Sequence, residues 1–211
     1  MSAPLRGLYA VTSDALCRQP DALPDAVSAA LAGGARLIQY RDKHNAAPAR
    51  AQIAERLLEV CRARGVPLVI NDDLALAAGI GAEGVHVGTK DASVTEARAR
   101  LGPSAIVGRS CHGSVDTALA AEREGASYVA FGRFFASRTK PDAPPATLDD
   151  LRRARRALRL PICAIGGLTP DNAGAVIECG ADLVAAVEGV FGAPDVEAAA
   201  RAYSRLFARA E

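Results

Sequence analysis

The chain has 211 residues, with 25 Lys and Arg against 24 Asp and Glu, so its formal net charge is +1 at pH 7. This near-balance provides no overall positive field for a nucleic-acid backbone, and an aromatic content of 4%, with no Trp, leaves few side chains for base stacking. Composition therefore argues against polynucleotide binding. A chain of this length buries about 70% of the surface that its unfolded form exposes, so it needs no disulfide bonds to fold.

The five cysteines lie at positions 17, 61, 111, 163 and 179. No two form a C-x-x-C pair and their number is odd, so neither a zinc site nor a secreted disulfide framework is indicated. The N-terminal sequence MSAPLRGLYAVTSD lacks the basic and apolar stretches of a signal peptide. No apolar run approaches the ~20 residues of a membrane span. We therefore expect a cytoplasmic protein without a membrane segment.

Short runs rich in branched apolar residues recur along the chain. Their mean spacing is about 25 residues, the length of one strand plus one helix. We predict strands at Leu8–Val11, Leu37–Tyr40, Leu68–Ile70, Val85–Val87, Ile106–Val107, Val129–Phe131, Ile162–Ile165 and Val184–Val187. Between them, apolar spacing predicts a helix over residues 48–64 that ends at Gly65. Thr169-Pro170 is typical of an N-cap followed by the first residue of another helix.

Eight strand-helix units predict a (β/α)8 TIM barrel, an α/β fold, as a single domain over residues 1–211. The alternative is a doubly wound open sheet, which eight parallel strands would make unusually wide. No low-complexity linker divides the chain. Because a barrel of this type carries its site at the carboxyl ends of the strands, the residues that follow each strand are the candidates for function.

The second strand continues into Gln39-Tyr40-Arg41-Asp42-Lys43. Strand alternation would send Gln39, Arg41 and Lys43 to one side, where an amide and two cations suit a phosphate ester. A solvated strand end is the alternative. The sixth strand precedes the loop Ser137-Arg138-Thr139-Lys140, whose hydroxyls and cations suit oxyanions and whose position suits a lid.

Carboxylates follow two neighbouring strands. The third strand ends in Asn71-Asp72-Asp73, and Asp91 follows the fourth strand. Carboxylates at the ends of adjacent barrel strands can share a Mg²⁺ ion, which commonly takes one or two carboxylates plus substrate phosphate and water. The alternative is that Asp72 or Asp73 caps the following helix. The two interpretations are compatible if Asp72 binds the metal and Asp73 is the cap.

Strands five, seven and eight are followed by further candidate segments. Ser110-Cys111-His112 contains a possible nucleophile and base, but residues so close in sequence seldom have that geometry. Polar contacts from Ser110 and His112, and packing of Cys111, are favoured. Gly166-Gly167 and Val187-Glu188 lie where the loops of such a barrel usually bind phosphate, although a glycine pair also serves tight turns. Two anion sites indicate two phosphorylated groups, one of them a diphosphate.

Taken together and in this order, these motifs resemble the thiamine-phosphate synthase family, also called thiamine-phosphate pyrophosphorylases. The resemblance extends from about Gly7 to Phe191. It rests on Gln39-Tyr40-Arg41-Asp42-Lys43, Ile70-Asn71-Asp72-Asp73, Gly84-Val85-His86-Val87-Gly88 with Asp91, Gly108 and Ser110, Ser137-Arg138-Thr139-Lys140, and Ala164-Ile165-Gly166-Gly167-Leu168-Thr169.

The resemblance implies a transferase of thiamine biosynthesis. Such an enzyme joins 4-amino-2-methyl-5-(diphosphooxymethyl)pyrimidine to 4-methyl-5-(2-phosphoethyl)thiazole, or its carboxylated form, and releases diphosphate. If the C–O bond to diphosphate breaks first, it leaves a cation at the pyrimidine methylene that the ring amino group stabilises and the thiazole nitrogen attacks. No protein nucleophile is then required, and catalysis consists of charge stabilisation and alignment. A homodimer is the oligomeric state that the family suggests.

Site residues carried over from the resemblance fall into three groups. Mg²⁺ would be bound by Asp72 and Asp91. The pyrimidine diphosphate would be held by Gln39, Arg41, Lys43, Asn71, Ser110 and Lys140, with Tyr40, Asp42 and Arg138 in the same binding segments. The thiazole phosphate would be held by Ser137, Thr139, Gly167, Val187 and Glu188. The residues expected to be catalytic are Arg41, Lys43, Ser110 and Lys140.

Some positions depart from the family pattern. Glu188 stands where the family usually has Ser, so either backbone N–H groups contact the phosphate or this carboxylate turns away. Arg133, Ala136 and Thr89-Lys90 also differ.

Two other functions compete with the synthase: a thiazole tautomerase that uses His112 for proton transfer, and a non-catalytic protein that binds thiazole phosphate. A tautomerase needs neither a diphosphate clamp nor a metal, so Arg41, Lys140, Asp72 and Asp91 argue against it. Glu188 is the one feature that favours the non-catalytic protein.

Overall fold

The computed structural model describes residues 5–136 and 144–208. Within these residues, eight strands alternate with helices. The strands are β1 (Gly7–Val11), β2 (Leu37–Tyr40), β3 (Leu68–Asn71), β4 (Gly84–Val87), β5 (Ile106–His112), β6 (Tyr128–Phe131), β7 (Ile162–Ile165) and β8 (Leu183–Ala186). The helices are α1 (Asp14–Cys17), α2 (Leu23–Ala32), α3 (Ala47–Ala63), α4 (Leu74–Ile80), α5 (Val94–Leu101), α6 (Val115–Arg123), α7 (Leu148–Ala157), α8 (Ala173–Glu178), α9 (Glu188–Phe191) and α10 (Val196–Ala208).

The strands form a closed parallel barrel in which each strand pairs with the next and β8 pairs with β1. In this register Tyr9 lies opposite Leu37 on β2 and Ala185 on β8, so the pairing is continuous across the closing strands. Closure excludes the open sheet and confirms the predicted (β/α)8 barrel. Because parallel strands all end at the same rim, the polar residues that follow them are brought together there.

Alternation along the strands produces two apolar layers. One layer fills the barrel and includes Tyr9, Val11, Leu37, Val69, Tyr128, Cys163 and Leu183. The other lies between the strands and the surrounding helices and includes Leu8, Ile38, Ile70, Val85, Val129, Ile162 and Val184, with Leu57 of α3 and Tyr203 of α10. The barrel interior is therefore a packed core, which leaves its carboxyl-end rim as the place for a site.

All eight predicted strands are present, and β5 differs most from its prediction. It continues beyond Val107 to His112, with ladder partners on both β4 and β6. The predicted strand ends at Val107 because the residues after it are polar. Ser110 lines the cavity at the carboxyl ends of the strands and Cys111 packs in the outer layer, while a register shift against β6 between Ser110 and His112 turns His112 to the same cavity. The predicted packing role of Cys111 is confirmed.

Side-chain caps fix the helices that follow the strands. Asp73 accepts a hydrogen bond from the Leu76 N–H at the start of α4, as its predicted capping role requires. Ser93 and Glu96 form a reciprocal capping box at the start of α5, two residues after Asp91. These caps anchor the short loops that carry the two predicted metal ligands.

The predicted start of α8 is wrong by one turn. The helix begins at Ala173, not at Pro170. The Asn172 side chain accepts from the Thr169 N–H, and the N–H groups of Asn172 and Ala173 donate to the Thr169 carbonyl. This side-chain amide competes for the backbone groups of the first turn, so residues 169–172 close as a separate turn.

All five cysteines are buried and free. In the two described stretches, residues 5–136 and 144–208, no helix is long and apolar enough to cross a membrane.

Candidate active site

A cavity of about 370 Å³, called here the main cavity, opens at the carboxyl ends of the strands. This volume lies in the range of small-molecule sites, which is about 300–1,000 Å³. All eight strands contribute to its wall through Tyr9, Gln39, Asn71, His86, Ser110, Ala130, Cys163 and Ala185. Seven predicted site residues line it: Gln39, Arg41, Asn71, Ser110, Gly167, Val187 and Glu188.

A second cavity of about 350 Å³ lies beside it, at the ends of β2 and β3. Its wall includes Tyr40, Asp42, Lys43 and Asp72, and Asn71 lines both cavities. Lys43 therefore lies in the second cavity, not beside Arg41 in the main one as alternation predicted. The reason is that β2 ends at Tyr40, so alternation no longer determines the direction of residues beyond it.

Arg41 is a buried cation of the main cavity. Its side chain is only 10% exposed, and Nη1 donates to Asp14 at 2.9 Å. The Arg41 backbone is fixed by Thr12, whose hydroxyl both accepts from its N–H and donates to its carbonyl. Among the described residues, the buried Nε of Arg41 has no hydrogen-bond partner. Because such an unpaired donor costs about 1–3 kcal/mol, the site favours an oxyanion that would accept from it.

Tyr40 and Asp42 hold the loop after β2. Oδ2 of Asp42 accepts from the Tyr40 hydroxyl and from Nδ2 of Asn45, and Oδ1 accepts from the N–H groups of His44 and Asn45. Burial alone would raise the pKa of the Asp42 carboxyl, but these hydrogen bonds together lower it. Both carboxyl oxygens of Asp42 thus accept hydrogen bonds from within the protein. Tyr40 and Asp42 therefore hold the loop in shape and so position Lys43, which follows Asp42 in the chain.

Asp72 and Asp91 bring two carboxyl groups together at the ends of β3 and β4. Oδ2 of Asp72 accepts from Nζ of Lys43 at 2.8 Å, and Oδ2 of Asp91 accepts from the Gly88 N–H at 2.8 Å. Burial, followed by the hydrogen bond and negative charge of Asp72, raises the pKa of the Asp91 carboxyl. Two carboxylates in one site repel each other, and a bound cation relieves that repulsion.

This pair of carboxylates fits a Mg²⁺ ion that completes its shell with substrate and water. Mg²⁺ is usually held by one or two carboxylates together with substrate phosphates. Among the described residues, no cluster of three or more His, Cys, Asp and Glu side chains could hold a metal ion alone. Asp72 and Asp91 stay its predicted ligands.

Sequence patterns did not identify Tyr9, His86 and Tyr128 as site residues, yet they connect two residues that were predicted. Nε2 of Gln39 donates to the Tyr9 hydroxyl at 2.5 Å, and that hydroxyl lies 2.7 Å from the Tyr128 hydroxyl. The Tyr128 hydroxyl lies 2.9 Å from Nδ1 of His86, and Nε2 of His86 lies 2.9 Å from the Ser110 hydroxyl. The sequence held one indication of their role, because strand alternation places these polar side chains toward the barrel interior on otherwise apolar strands.

Glycines after β7 bring the backbone close to the main cavity. Gly166 and Gly167 have φ angles of 106° and 63°. A Cβ on Gly167 would lie 2.3 Å from the Ala136 carbonyl oxygen, so only glycine permits this approach of the loops after β6 and β7. Oε2 of Glu188 lies 2.7 Å from where a Cβ on Gly192 would stand. The carboxylate is thus directed along α9 toward its C-terminal end, an orientation that lessens its repulsion of a bound phosphate.

The predicted residues Ser137, Arg138, Thr139 and Lys140 lie outside the described residues. The chain on either side of them is well anchored. The Arg133 N–H donates to the Pro144 carbonyl, the Ala146 N–H donates to the Arg133 carbonyl, and the Phe134 N–H donates to the Ile165 carbonyl. Arg133 and Ala136 themselves line the main cavity.

A closed parallel barrel whose mouth carries a buried arginine, a lysine, paired carboxylates and a glycine-rich loop defines a class of protein. It is a (β/α)8-barrel enzyme that binds small, negatively charged substrates. Comparison with known proteins identifies the family within that class. Residues 8–190 match the family model for thiamine monophosphate synthase.

Individual relatives agree along nearly the whole chain. A thiamine-phosphate synthase from Methylococcus capsulatus is 55% identical over 97% of this chain and 90% of its own length. One from Nitrosococcus oceani is 53% identical over 98% of this chain and 95% of its own. A solved structure, the thiamine phosphate pyrophosphorylase from Pyrococcus furiosus, has a TM-score of 0.86 and 30% identity, and covers 97% of this chain and 96% of that one.

The chain belongs to the thiamine monophosphate synthase family. This confirms the predicted family and the predicted transferase class. The roles of individual residues, the metal ion and the oligomeric state stay predictions.

Proposed function

We propose that the protein joins 4-amino-2-methyl-5-(diphosphooxymethyl)pyrimidine to 4-methyl-5-(2-phosphoethyl)thiazole, or its carboxylated form, and releases diphosphate. The observation that carries the proposal is the pair of adjoining anion-binding regions at one barrel mouth. The main cavity contains Arg41 and Gly167, the second cavity contains Lys43 and Asp72, and Asn71 lines both. Two neighbouring regions suit two phosphorylated substrates that must be held next to each other.

In this proposal the diphosphate lies where the two cavities adjoin. Arg41, with its unpaired Nε, and Asn71 bind it from the main cavity. Lys43 binds it from the second cavity. Its side chain is 51% exposed and its ion pair with Asp72 is therefore weak, so Lys43 can turn to a phosphate at little cost. Gln39, Ser110 and Lys140 complete the set that the family resemblance implies.

Asp72 and Asp91 are the residues that would hold Mg²⁺. The chemistry that Mg²⁺ supplies when bound is neutralisation of charge on the diphosphate oxygens. The Gly88 N–H orients Asp91 for this role, and Lys43 offsets part of the negative charge of Asp72.

The thiazole phosphate is assigned to the opposite side of the main cavity, at the loops after β7 and β8. Gly167, Val187 and Glu188 line that side. Backbone N–H groups are suitable phosphate ligands where glycine allows a close approach. Ser137 and Thr139 are expected to contribute hydroxyl groups, as the family resemblance implies.

The reaction needs no protein nucleophile, and the candidate nucleophiles are poorly suited to be one. Burial raises the pKa of the Cys111 thiol to about 12, so it stays protonated and unreactive. Ser110 contacts His86, but the other ring nitrogen of His86 faces the Tyr128 hydroxyl, where a catalytic triad has a carboxylate. Catalysis then consists of stabilising charge on the departing diphosphate and aligning the thiazole nitrogen.

The test mixes purified protein, Mg²⁺ and both substrates and follows diphosphate release. We expect release to require the thiazole phosphate and to stop when EDTA is added. Asp91→Ala should lower the rate by about 10²-fold, the scale of one preorganised electrostatic group. Glu59→Ala, which removes an exposed carboxylate on α3, is the matched control and should keep the full rate.

Release that persists unchanged in EDTA would contradict the metal assignment. No release, together with isomerisation of the thiazole, would favour the tautomerase, for which His112 is available on the wall of the main cavity.

The same proposal includes a cytoplasmic location and small-molecule substrates as the binding partners. Five free, buried cysteines support the location, because a reducing compartment keeps thiols unpaired. A homodimer follows from the family resemblance alone, and light scattering on the purified protein tests it.

A further inference from the structure

Four hydrogen bonds cross the interior of the barrel at the main cavity, whose wall includes every residue they join except Tyr128. They join Gln39 of β2 to Tyr9 of β1, Tyr9 to Tyr128 of β6, Tyr128 to His86 of β4, and His86 to Ser110 of β5. We name this chain the hydroxyl relay. Four of its members are buried, and both tyrosines are at most 1% exposed. Ser110 is the member with partial exposure, and it lines the cavity.

The geometry favours one direction for the protons of the relay. The Gln39 amide nitrogen can only donate, so the Tyr9 oxygen accepts from it. Burial raises the pKa of both phenols, so each keeps its single hydrogen. Tyr9 then donates to Tyr128, and Tyr128 donates to Nδ1 of His86. The imidazole hydrogen is left on Nε2 and is donated to the Ser110 oxygen.

The reverse direction leaves a buried hydrogen unsatisfied. Nδ1 of His86 would then donate to Tyr128, and Tyr128 would donate to Tyr9. Tyr9 would accept two hydrogen bonds, and among the described contacts its own hydrogen would have no acceptor. An unsatisfied donor is costly in a residue that is only 1% exposed. In the favoured direction, the hydrogen that stays available is the hydroxyl hydrogen of Ser110, beside the main cavity.

Packing holds the relay in place. A Cβ on Gly108 would lie 2.1 Å from Cζ and 2.3 Å from Oη of Tyr128, so the absence of a side chain at this position makes room for the phenol. The Tyr128 ring stacks on His86 at a centroid distance of 5.6 Å and meets Tyr9 edge-on at 5.7 Å. These ring contacts restrict the Tyr128 ring and so its hydroxyl, which makes the relay a preorganised element of the barrel.

We propose that the hydroxyl relay presents the Ser110 hydroxyl as a hydrogen-bond donor to the leaving diphosphate, and that Tyr9, His86 and Tyr128 are positioning residues that act through Ser110. This proposal rests on the proposed function, because it requires a diphosphate leaving group. A donor aligned in advance stabilises developing charge without reorganisation. Without the relay, Nε2 of His86 can accept from Ser110, and the hydroxyl then donates to the imidazole instead of the substrate.

A double-mutant cycle between Tyr128→Phe and Ser110→Ala tests this coupling through kcat and KM for the pyrimidine diphosphate. Phenylalanine keeps the ring and removes only the hydroxyl. We expect Tyr128→Phe to lower kcat about tenfold, with KM changed less than about twofold, because the interaction forms mainly in the transition state. In the Ser110→Ala background, Tyr128→Phe should lower kcat no further.

Tyr203→Phe is the matched control. The buried Tyr203 hydroxyl donates to the Leu168 carbonyl at 2.7 Å, so this change also removes one buried tyrosine hydrogen bond, but outside the relay. Its effect on kcat should be the same factor with and without Ser110. His86→Ala is the second relay variant: it removes the group that contacts the Ser110 hydroxyl, so it should be coupled to Ser110 as Tyr128→Phe is, even if Tyr128→Phe fails to fold.

Equal effects of the relay variants in both backgrounds, or an unchanged kcat when Ser110 is present, would overturn the relay and leave the synthase activity intact. If the unmodified protein shows no thiazole-dependent release of diphosphate, the proposed function fails instead, and the relay as stated fails with it.

Discussion

Asp72 and Asp73 are adjacent residues whose carboxylates have different partners. Asp73 accepts from the Leu76 N–H and caps α4, whereas Asp72 pairs with Lys43 and adjoins Asp91. Asp72 also has a φ of 62°, in the left-handed region that Asn and Asp adopt more readily than most residues. At the scale of the residue, the backbone conformation of Asp72 separates the capping carboxylate from the predicted metal ligand.

Asp72→Asn should therefore lower activity without lowering stability, and Asp73→Ala should lower stability without lowering activity. We expect Asp72→Asn to lower the synthesis rate by about 10²-fold, since a neutral amide is a poor Mg²⁺ ligand, and to keep the free energy of unfolding because Asn tolerates the positive φ. Asp73→Ala should lower the free energy of unfolding by about 1 kcal/mol through loss of the cap and keep the rate. Urea unfolding and steady-state kinetics measure both. Similar losses of rate in the two variants would contradict the separation.

At the scale of the element, β5 shows how glycine positions a functional strand. Gly108 faces the barrel interior, where the Tyr128 ring occupies the space of a side chain. Ser110 follows on the same face and reaches the cavity wall. A strand with a larger residue at position 108 would displace Tyr128 from both His86 and Tyr9. Gly108 in β5 therefore makes room for the Tyr128 ring in β6.

Gly108→Ala and Gly79→Ala test this close approach with one type of substitution. The added methyl at Gly108 would lie 2.1 Å from Cζ of Tyr128, so we expect a loss of about 1–3 kcal/mol in the free energy of unfolding. A Cβ on Gly79, within α4, would meet nothing within 4 Å, and alanine there should raise the free energy of unfolding by about 0.5–1 kcal/mol. Equal changes in the free energy of unfolding, measured with urea, would show that the Tyr128 ring moves aside at little cost and would contradict the close approach.

At the scale of the whole molecule, the fold was predictable because strand alternation and helix spacing are local patterns. The same patterns placed Arg41, Asn71 and Asp72 at strand ends, where barrel closure brings them together. The hydroxyl relay was not predictable in this way. Tyr9 and Tyr128 are 119 residues apart, and their contact depends on the register of the closed barrel. An inward tyrosine at either position also has the pattern of an ordinary core residue.

Barrel closure also buries many ionisable groups in their neutral form. Burial raises the pKa of the Cys17, Cys61 and Cys111 thiols to about 12. It also raises the pKa of Tyr203 to about 12 and the pKa values of Cys163 and the three other tyrosines. These groups ionise far more readily in the unfolded chain, where a thiol has a pKa of about 8.5 and a phenol about 10. The net charge of the protein does not reveal this sensitivity, because none of these groups is charged at neutral pH.

We therefore expect the melting temperature to fall by at least about 5 °C between pH 7.5 and pH 10. A pKa raised by folding stabilises the protein fully below the pKa of the unfolded chain. That stabilisation is lost as the pH rises from about 8.5 toward the folded value near 12. Cys61→Ala removes one such thiol, so its melting temperature should be lower at pH 7.5 but fall less steeply with pH. Calorimetry across this range measures both slopes, and a melting temperature that stays constant to pH 10 would contradict the burial of these groups as neutral species.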